Sequence, residues 1–422
     1  MPYSGQKPFY GWIIVSVGFI SQLAQGLVNQ GFSTYPELLQ REFGWSKAVL
    51  AGPRSVTSVQ NSVLGPVTGF LIDRLGTRIV FGAGILITGL GLIVFGMTHS
   101  LWVYYLSNVL MALGLSLEGI LVMSVTVNNW FKRRSTVAES IMLLGYSLAG
   151  VIGVPALVLM QTHLGWRQAA TWTGIAIIAV GLPCSILLRT RPEPFGLLPD
   201  GDVSADPVQS ADKPQAGAEH DFTLKTAIRT RAFWLLAFGW AIGNLGLSTV
   251  QVHIFLHLGQ DVGLSRTAAA LVWSIASLAN IPSRIIGGIL GDRLPKNIIL
   301  GVATAFMGAS VFALAIATSF STALLFSVPF GIGWGMFTPV MNSVQGDYFR
   351  GKSQGVIRGW LQLVSLPFTI AAPVLVGLAA DRQGTYLWAF ITTSVVMMGG
   401  AILNFVATRP KPPVGTALSE RY

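Results

Sequence analysis

WSIASLANIPSRIIGGILGDR, residues 273–293, is the stretch whose reading decides the fold. A run this long and this apolar predicts a membrane-spanning helix. Arg284 stands inside it, eight residues before Asp292. At roughly 1.5 Å per residue that is about 12 Å, which sets the guanidinium well within the hydrocarbon layer. Asn280 lies four residues earlier on the same helical face. Pro282 between them removes one backbone hydrogen bond and leaves the Leu278 carbonyl without its helical donor. A charge at that depth is costly, so it faces a cavity or partners and marks a functional position. A kinked helix carrying such an arginine suits an anion. The structural alternative is a fixed ion pair with a carboxylate of a neighbouring helix.

Composition places the rest of the chain in the same class. Of its 422 residues 52% are hydrophobic and only 10% are charged, with a mean hydropathy of +0.62. Soluble chains carry about 25% charged residues, so this composition predicts a polytopic membrane protein. The net charge of +10 does not point to nucleic acid, because the basic residues sit in short loops between apolar segments, where they set topology. Cys184 is the only cysteine, which excludes a disulfide framework and a cysteine-based metal site. The first apolar segment is long and a second follows at once, so it reads as a first helix rather than a cleaved signal. No phosphate-binding loop, metal-ligand cluster or nucleophile motif is legible, so no cofactor or metal is expected and an ATP-driven pump or a membrane enzyme is disfavoured.

Twelve apolar segments follow one another, near 10–36, 46–72, 79–98, 102–127, 136–161, 168–188, 232–258, 265–290, 297–317, 320–346, 355–379 and 385–408. The polar stretch 189–231 divides them six and six. It contains GDVSADPVQSADKPQAGAEHD, which has almost nothing to bury and predicts an unstructured linker, with a short amphipathic helix at 222–230. The expected organisation is an N-terminal six-helix bundle over 1–190, a cytoplasmic linker over 191–231, a C-terminal six-helix bundle over 232–411 and a tail over 412–422. With both termini in the cytoplasm, all but seven of the 27 lysines and arginines face inward or lie in the linker and tails. The seven are Arg41, Lys47, Arg54, Arg167, Arg266, Arg284 and Arg382. Such a bias fixes orientation.

The halves repeat. Gly69-Phe-Leu-Ile-Asp73-Arg74-Leu-Gly76-Thr-Arg78 follows the second segment, and Gly288-Ile-Leu-Gly-Asp292-Arg293-Leu-Pro-Lys296 follows the eighth. Trp130-Phe131-Lys132-Arg133-Arg134-Ser135 follows the fourth, and Tyr348-Phe349-Arg350-Gly351-Lys352-Ser353 follows the tenth. Two loop types recurring at matching places indicate duplication, a known transporter architecture with the substrate site near the midplane.

The first of these loops resembles the signature of the major facilitator superfamily. Trp130-Phe131-Lys132-Arg133-Arg134 with Ala138 and Gly145, Tyr10-Gly11-Trp12, and Phe43-Gly44-Trp45-Ser46 resemble its monocarboxylate-transporter branch. Arg191-Pro-Glu-Pro-Phe-Gly-Leu-Leu-Pro-Asp-Gly201 is similar to bacterial relatives that include the oxalate–formate antiporters. The resemblance covers the whole chain. It implies an all-α membrane protein of twelve transmembrane helices in two pseudo-symmetric six-helix bundles. It also implies that Arg284 matches the arginine that binds substrate carboxylate. The acidic residue expected four positions before it is replaced by Asn280, which cannot carry a proton.

Other polar residues inside the spans fill out the expected site. Asn280, Tyr146 and His253 would shape the pocket around Arg284. Glu118 or His253 would carry a coupled proton, His253 because histidine titrates in the useful range. For Glu118 the structural alternative is a fixed partner of a basic group. Arg54 is a second cation for a dicarboxylate or, more in keeping with its place, an outer gate. Asp73, Arg74, Arg78, Asp292, Arg293 and Arg358 are expected to hold and release the cytoplasmic side, with Arg358 as the partner for Asp73. Glu139 reads as structural, and the rows Gly145/Gly150/Gly153 and Gly331/Gly333/Gly335 as close helix contacts.

The expected function is secondary active transport of a small organic anion, a monocarboxylate or short dicarboxylate, by symport with protons or by anion exchange. Its partners are that anion, protons and the lipid bilayer of the cell membrane, and one copy is expected to suffice. Efflux of a lipophilic or cationic compound is disfavoured by the positive intramembrane charge. A non-transporting membrane sensor on the same fold is the reading from another class.

Overall fold

The computed structural model describes residues 9–131, 135–192, 199–201, 222–349 and 354–410. All regular structure among the described residues is helical. The expected linker and tail fall largely on 193–198, 202–221 and 411–422, outside the described residues. The flank of the linker forms the short helix α9, Leu224–Ile228, capped by Thr223. Two compact units emerge, one of Met1–Gly44 with Gly52–Asp206, the other of Trp45–Ala51 with Pro207–Tyr422.

In the first unit α1 (Gly11–Gly31) runs through a 3₁₀ turn into α2 (Pro36–Phe43). Pro36 supplies the first-turn proline and Gly44, at φ 67°, the left-handed cap that ends α2. Glu42 of α2 then accepts hydrogen bonds from Trp166 Nε1 at 2.7 Å and Arg167 at 2.8 Å. Burial alone would raise the Glu42 carboxyl, but those two donors and the arginine charge hold it below the usual range.

The helix α3 covers Lys47–Gly96, fifty residues, and is broken at Gly76 (φ 78°, ψ 159°). The sequence places a loop between 72 and 79. The chain turns there at one glycine instead, because only glycine takes that φ without strain. α4 (Leu101–Glu118) and α5 (Ile120–Trp130) form the next span, interrupted at Gly119, whose backbone is extended. α6 (Ser135–Leu148) passes through a π turn, Ala149–Gly153, into α7 (Val154–Leu164). Pro155 lacks the N–H that a regular turn needs, and the turn before it widens. α8 (Trp166–Leu187) completes the unit.

The second unit holds α10 (Arg231–Gln260), α11 (Arg266–Arg293), α12 (Lys296–Ala315), α13 (Phe320–Tyr348), α14 (Gln354–Gln383) and α15 (Leu387–Val406). Eleven spans among the described residues are long and apolar enough to cross a membrane. The expected segment 46–72 is helical, as the first arm of α3, but is not among them. Gln60, Asn61 and several serines dilute its apolar run.

The glycine rows lie where helices touch. A Cβ at Gly145 would fall 2.2 Å from the Phe19 carbonyl oxygen, and one at Gly331 would fall 2.1 Å from that of Ala276. These glycines let α6 approach α1, and α13 approach α11, at backbone distance. The motif residues also meet one another. Tyr10 packs on Trp130 at 5.3 Å between ring centroids, and Trp12 on Phe131 at 5.2 Å. Tyr10 further donates to the Leu187 carbonyl at 2.8 Å, and Trp130 Nε1 to that of Arg189 at 2.8 Å. That girdle of aromatic rings and polar tips suits a membrane–water interface.

Candidate functional site: an intramembrane arginine and the polar groups around it

Arg284 stands in the interior of α11, two residues after Pro282. The exposed stripe of this helix runs through Leu278, Ile285 and Ile289. Asn280 lies opposite that stripe, 1% exposed, and Arg284 is one turn further along the same side. α11 runs unbroken through Pro282, and beside it the Ser283 hydroxyl donates to the Ala279 carbonyl at 2.7 Å. α13 lies against this turn. A Cβ on Gly335 would come within 2.6 Å of the Asn280 carbonyl oxygen and 3.1 Å of the Arg284 nitrogen. α13 thus packs at backbone distance against the turn that carries Asn280 and Arg284. This arrangement can present a planar pair of donors to a carboxylate.

Glu118 is completely buried at the end of α4. Its Oε1 accepts from the Thr88 hydroxyl at 3.0 Å, and its backbone carbonyl from Ser21 at 2.9 Å. Its Oε2 has no hydrogen-bond partner among the described residues. The break at Gly119 positions the carboxyl, because the extended backbone there ends α4 at that point. Gly84 and Gly114 let α3 and α4 close around it, a Cβ on Gly84 falling 2.7 Å from the Glu118 nitrogen. One hydroxyl donor and one open oxygen leave room for a proton.

Arg54 lies in the first arm of α3, inside the first unit. Its Nη1 donates to Asn29 Oδ1 at 3.2 Å, and Tyr146 lies within electrostatic reach. Asn29 is itself anchored by donating to the Gln25 carbonyl at 3.0 Å. Both Arg54 and Asn29 line one cavity. The sequence reading singled out Arg54 and Tyr146 for different roles; the structure brings them together.

His253 is placed differently from the expectation of an open pocket group. It is fully buried in the second unit, with Nδ1 3.0 Å from the Tyr386 hydroxyl and Nε2 2.8 Å from the Pro373 carbonyl. Both ring nitrogens are thus engaged in tying α10 to α14 and to the start of α15. One turn on, His257 bonds Asp261 at 2.9 Å and the Leu314 carbonyl at 2.8 Å. Asp261 also accepts from the Tyr386 N–H at 2.7 Å and the Thr385 hydroxyl at 3.1 Å. Burial pushes the Asp261 carboxyl up, but these donors outweigh it and hold the group below the usual aspartate range. Sequence reasoning missed this knot, and it missed Asp381, which accepts from the backbone N–H groups of Lys47 and Ala48 at 3.0 and 3.2 Å. A spacing of 334 residues leaves no local signal.

Of the loop charges, Arg74, Arg78, Arg293 and Arg358 are exposed. Arg74 stacks over Phe70 at 4.9 Å, and Arg358 donates to Asn342 at 2.8 Å. The side chains of Asp73 and Asp292 lie outside the described residues, and with them the expected Asp73–Arg358 pair. Glu139 accepts from Asn128 at 2.9 Å, a bond between neighbouring helices. No group of three or more metal-ligating side chains occurs among the described residues.

Comparison with known proteins agrees with this architecture. The family model for the Major Facilitator Superfamily matches residues 14–368. Monocarboxylate transporter 11 of Mus musculus is 25% identical over 414 residues, covering 96% of this chain and 88% of that protein. Its Homo sapiens counterpart is 26% identical over 417 residues, covering 96% and 84%. Among solved structures, a bacterial homologue of the human lysosomal transporter Spinster, inward-facing and occupied, superposes with a TM-score of 0.76 at 16% identity. That match covers 96% of this chain and 97% of the other and shows the shared fold. The chain belongs to the major facilitator superfamily: it is a multi-pass membrane transporter related to monocarboxylate transporters, and not an enzyme.

Proposed function

We propose that this transporter moves small organic anions, monocarboxylates or short dicarboxylates, by alternating access, and that Arg284 holds the carboxylate. The observation that carries this reading is the arginine set on the interior side of α11, beside buried Asn280, at a turn braced by Gly335. A substrate carboxylate loses hydration on entering a membrane cavity, so its partner must supply charge and geometry together. Arginine supplies both, and Asn280 adds an amide one turn away. The kinship with monocarboxylate transporters supports the same substrate class.

A proton is the proposed coupling partner and Glu118 its carrier. The carboxyl is buried and takes one hydroxyl bond, from Thr88 of α3, while Ser21 of α1 bonds the backbone carbonyl of the same residue. His253, bonded at both nitrogens, serves helix packing in this reading. Anion exchange without a proton needs neither group. The chain acts in the cell membrane as a single copy, with both termini and the linker in the cytoplasm, as its lysine and arginine distribution supports.

Three measurements test these points. Removing a desolvated charge-assisted contact costs about 2–5 kcal/mol, roughly a 30-fold or greater loss of affinity. Arg284→Ala should therefore abolish measurable carboxylate binding to purified protein, and Arg284→Lys should retain little. Native affinity in a well-folded Arg284→Ala protein would overturn the assignment. In proteoliposomes Glu118→Gln should lose proton-driven accumulation yet keep carboxylate exchange, whereas unchanged proton-driven uptake would remove Glu118 from coupling. For orientation, a cysteine placed at 210 in a Cys184→Ser background should resist membrane-impermeant maleimide in intact cells. Labelling from outside would reverse the topology.

A further inference from the structure

We propose that His257 is a proton-binding site: its ring carries two protons in this structure, and loss of one unties the corner where α10, α12 and α15 meet. The site lies at the end of the second unit that the lysine and arginine distribution turns outward. His257 stands in the last turn of α10 and is 2% exposed. Its Nδ1 is 2.9 Å from Asp261 Oδ2, and its Nε2 is 2.8 Å from the Leu314 carbonyl oxygen. A neutral imidazole has one N–H and one bare nitrogen, whereas the doubly protonated ring donates at both. Both partners here accept. The Leu314 carbonyl has no hydrogen to give. Asp261 Oδ2 already receives the Tyr386 N–H at 2.7 Å and the Thr385 hydroxyl at 3.1 Å, which leaves no place for a proton of its own. A neutral ring would set a lone pair against one of the two oxygens.

The surroundings favour the cation. Leu314 lies in the last turn of α12, so the ring sits at two helix C-termini, where positive charge is favoured. Asp261 of α10 and Asp381 of α14 bring carboxylates. Lys47, from the Trp45–Ala51 segment of the same unit, brings an ammonium 4.4 Å over the Tyr386 ring. An imidazolium takes this set to neutrality. Arg382 of α14 is exposed, and Phe390 of α15 meets the ring edge-on at 5.1 Å without a titratable group. His253, one turn back, is the contrast. Its Nε2 faces the Pro373 carbonyl, but its Nδ1 faces the Tyr386 hydroxyl, which can donate, so one proton satisfies it. The sign follows: a tie that needs the second proton is whole at low pH and is lost as pH rises. The carboxylate keeps the remaining N–H, because the charged acceptor is the stronger one, and the Leu314 bond goes. Neither Arg284 nor Glu118 takes part, so the site stands whether or not their assignments hold.

Solid-state NMR of the full chain in proteoliposomes, with isotope-labelled histidine nitrogens and leucine carbonyls, tests this. Among the described residues His257 is the histidine bonded to a leucine carbonyl, so the label pair identifies its ring without a substitution. At about pH 6 both nitrogens of that ring should carry hydrogen. On titration to about pH 9 one hydrogen and the leucine contact should be lost together. Hydrogen exchange over 312–318, divided by its intrinsic pH dependence, should then rise roughly fivefold or more. His257→Gln, whose amide does not titrate, should abolish that rise. A bare nitrogen on the His257 ring at about pH 6 would overturn the proposal. So would a leucine contact that outlasts the second proton, exchange that stays flat across the titration, or a rise that persists in folded His257→Gln protein. The native spectra and native exchange decide the matter if that variant does not fold.

Discussion

A hydrocarbon layer offers no partners to a polar group, and every feature of this chain answers to that constraint. Backbone groups satisfy themselves in helices. Side-chain hydroxyls turn back to carbonyls one turn earlier, as Ser283 does to Ala279 and Thr126 to Val122. Charged and titratable side chains inside the spans are few, and each sits in a built setting: Glu118 under Thr88, Arg54 against Asn29, His253 between Tyr386 and Pro373. Arg284 is set on a backbone braced by a neighbouring glycine. The cost of an intramembrane charge is what makes such positions informative.

Helix interruption is the second device. Gly76 turns α3, Gly119 breaks the fourth span beside Glu118, and Pro155 follows a π turn. One of these three adjoins Glu118, the buried carboxyl of the first unit. An interrupted helix frees backbone groups and fixes the direction of the side chain at the break. The glycines that admit close neighbours make the broken turns tolerable, because adjacent helices then pack at backbone distance around them.

The fold was legible in the sequence because its signals are long and redundant. Segments of about 20 apolar residues, basic loops and a repeated motif each point to the same architecture. Among the described residues eleven spans stand clear on hydropathy, and the first arm of α3 does not, since polar residues within it blur the apolar run. Arg284 was legible for a local reason, a charge within an apolar run. The surroundings of the other groups were not. His253 looked like a pocket group because its two partners lie 133 and 120 residues away. Arg54 read as an outer gate or second cation, and its bond to Asn29 of another helix has no local signal. The role of Asp381 depends on backbone N–H groups, which no residue type announces.

Carboxylate counterflow tests the central claim most directly. Proteoliposomes holding the purified chain, preloaded with an unlabelled C1–C4 mono- or dicarboxylate, are diluted into a trace of the same labelled anion. The account predicts transient, saturable accumulation of label for at least one member of the panel, with no metal or nucleotide added. Absence of counterflow for every carboxylate, with exchange of a lipophilic cation by the same vesicles, would contradict it.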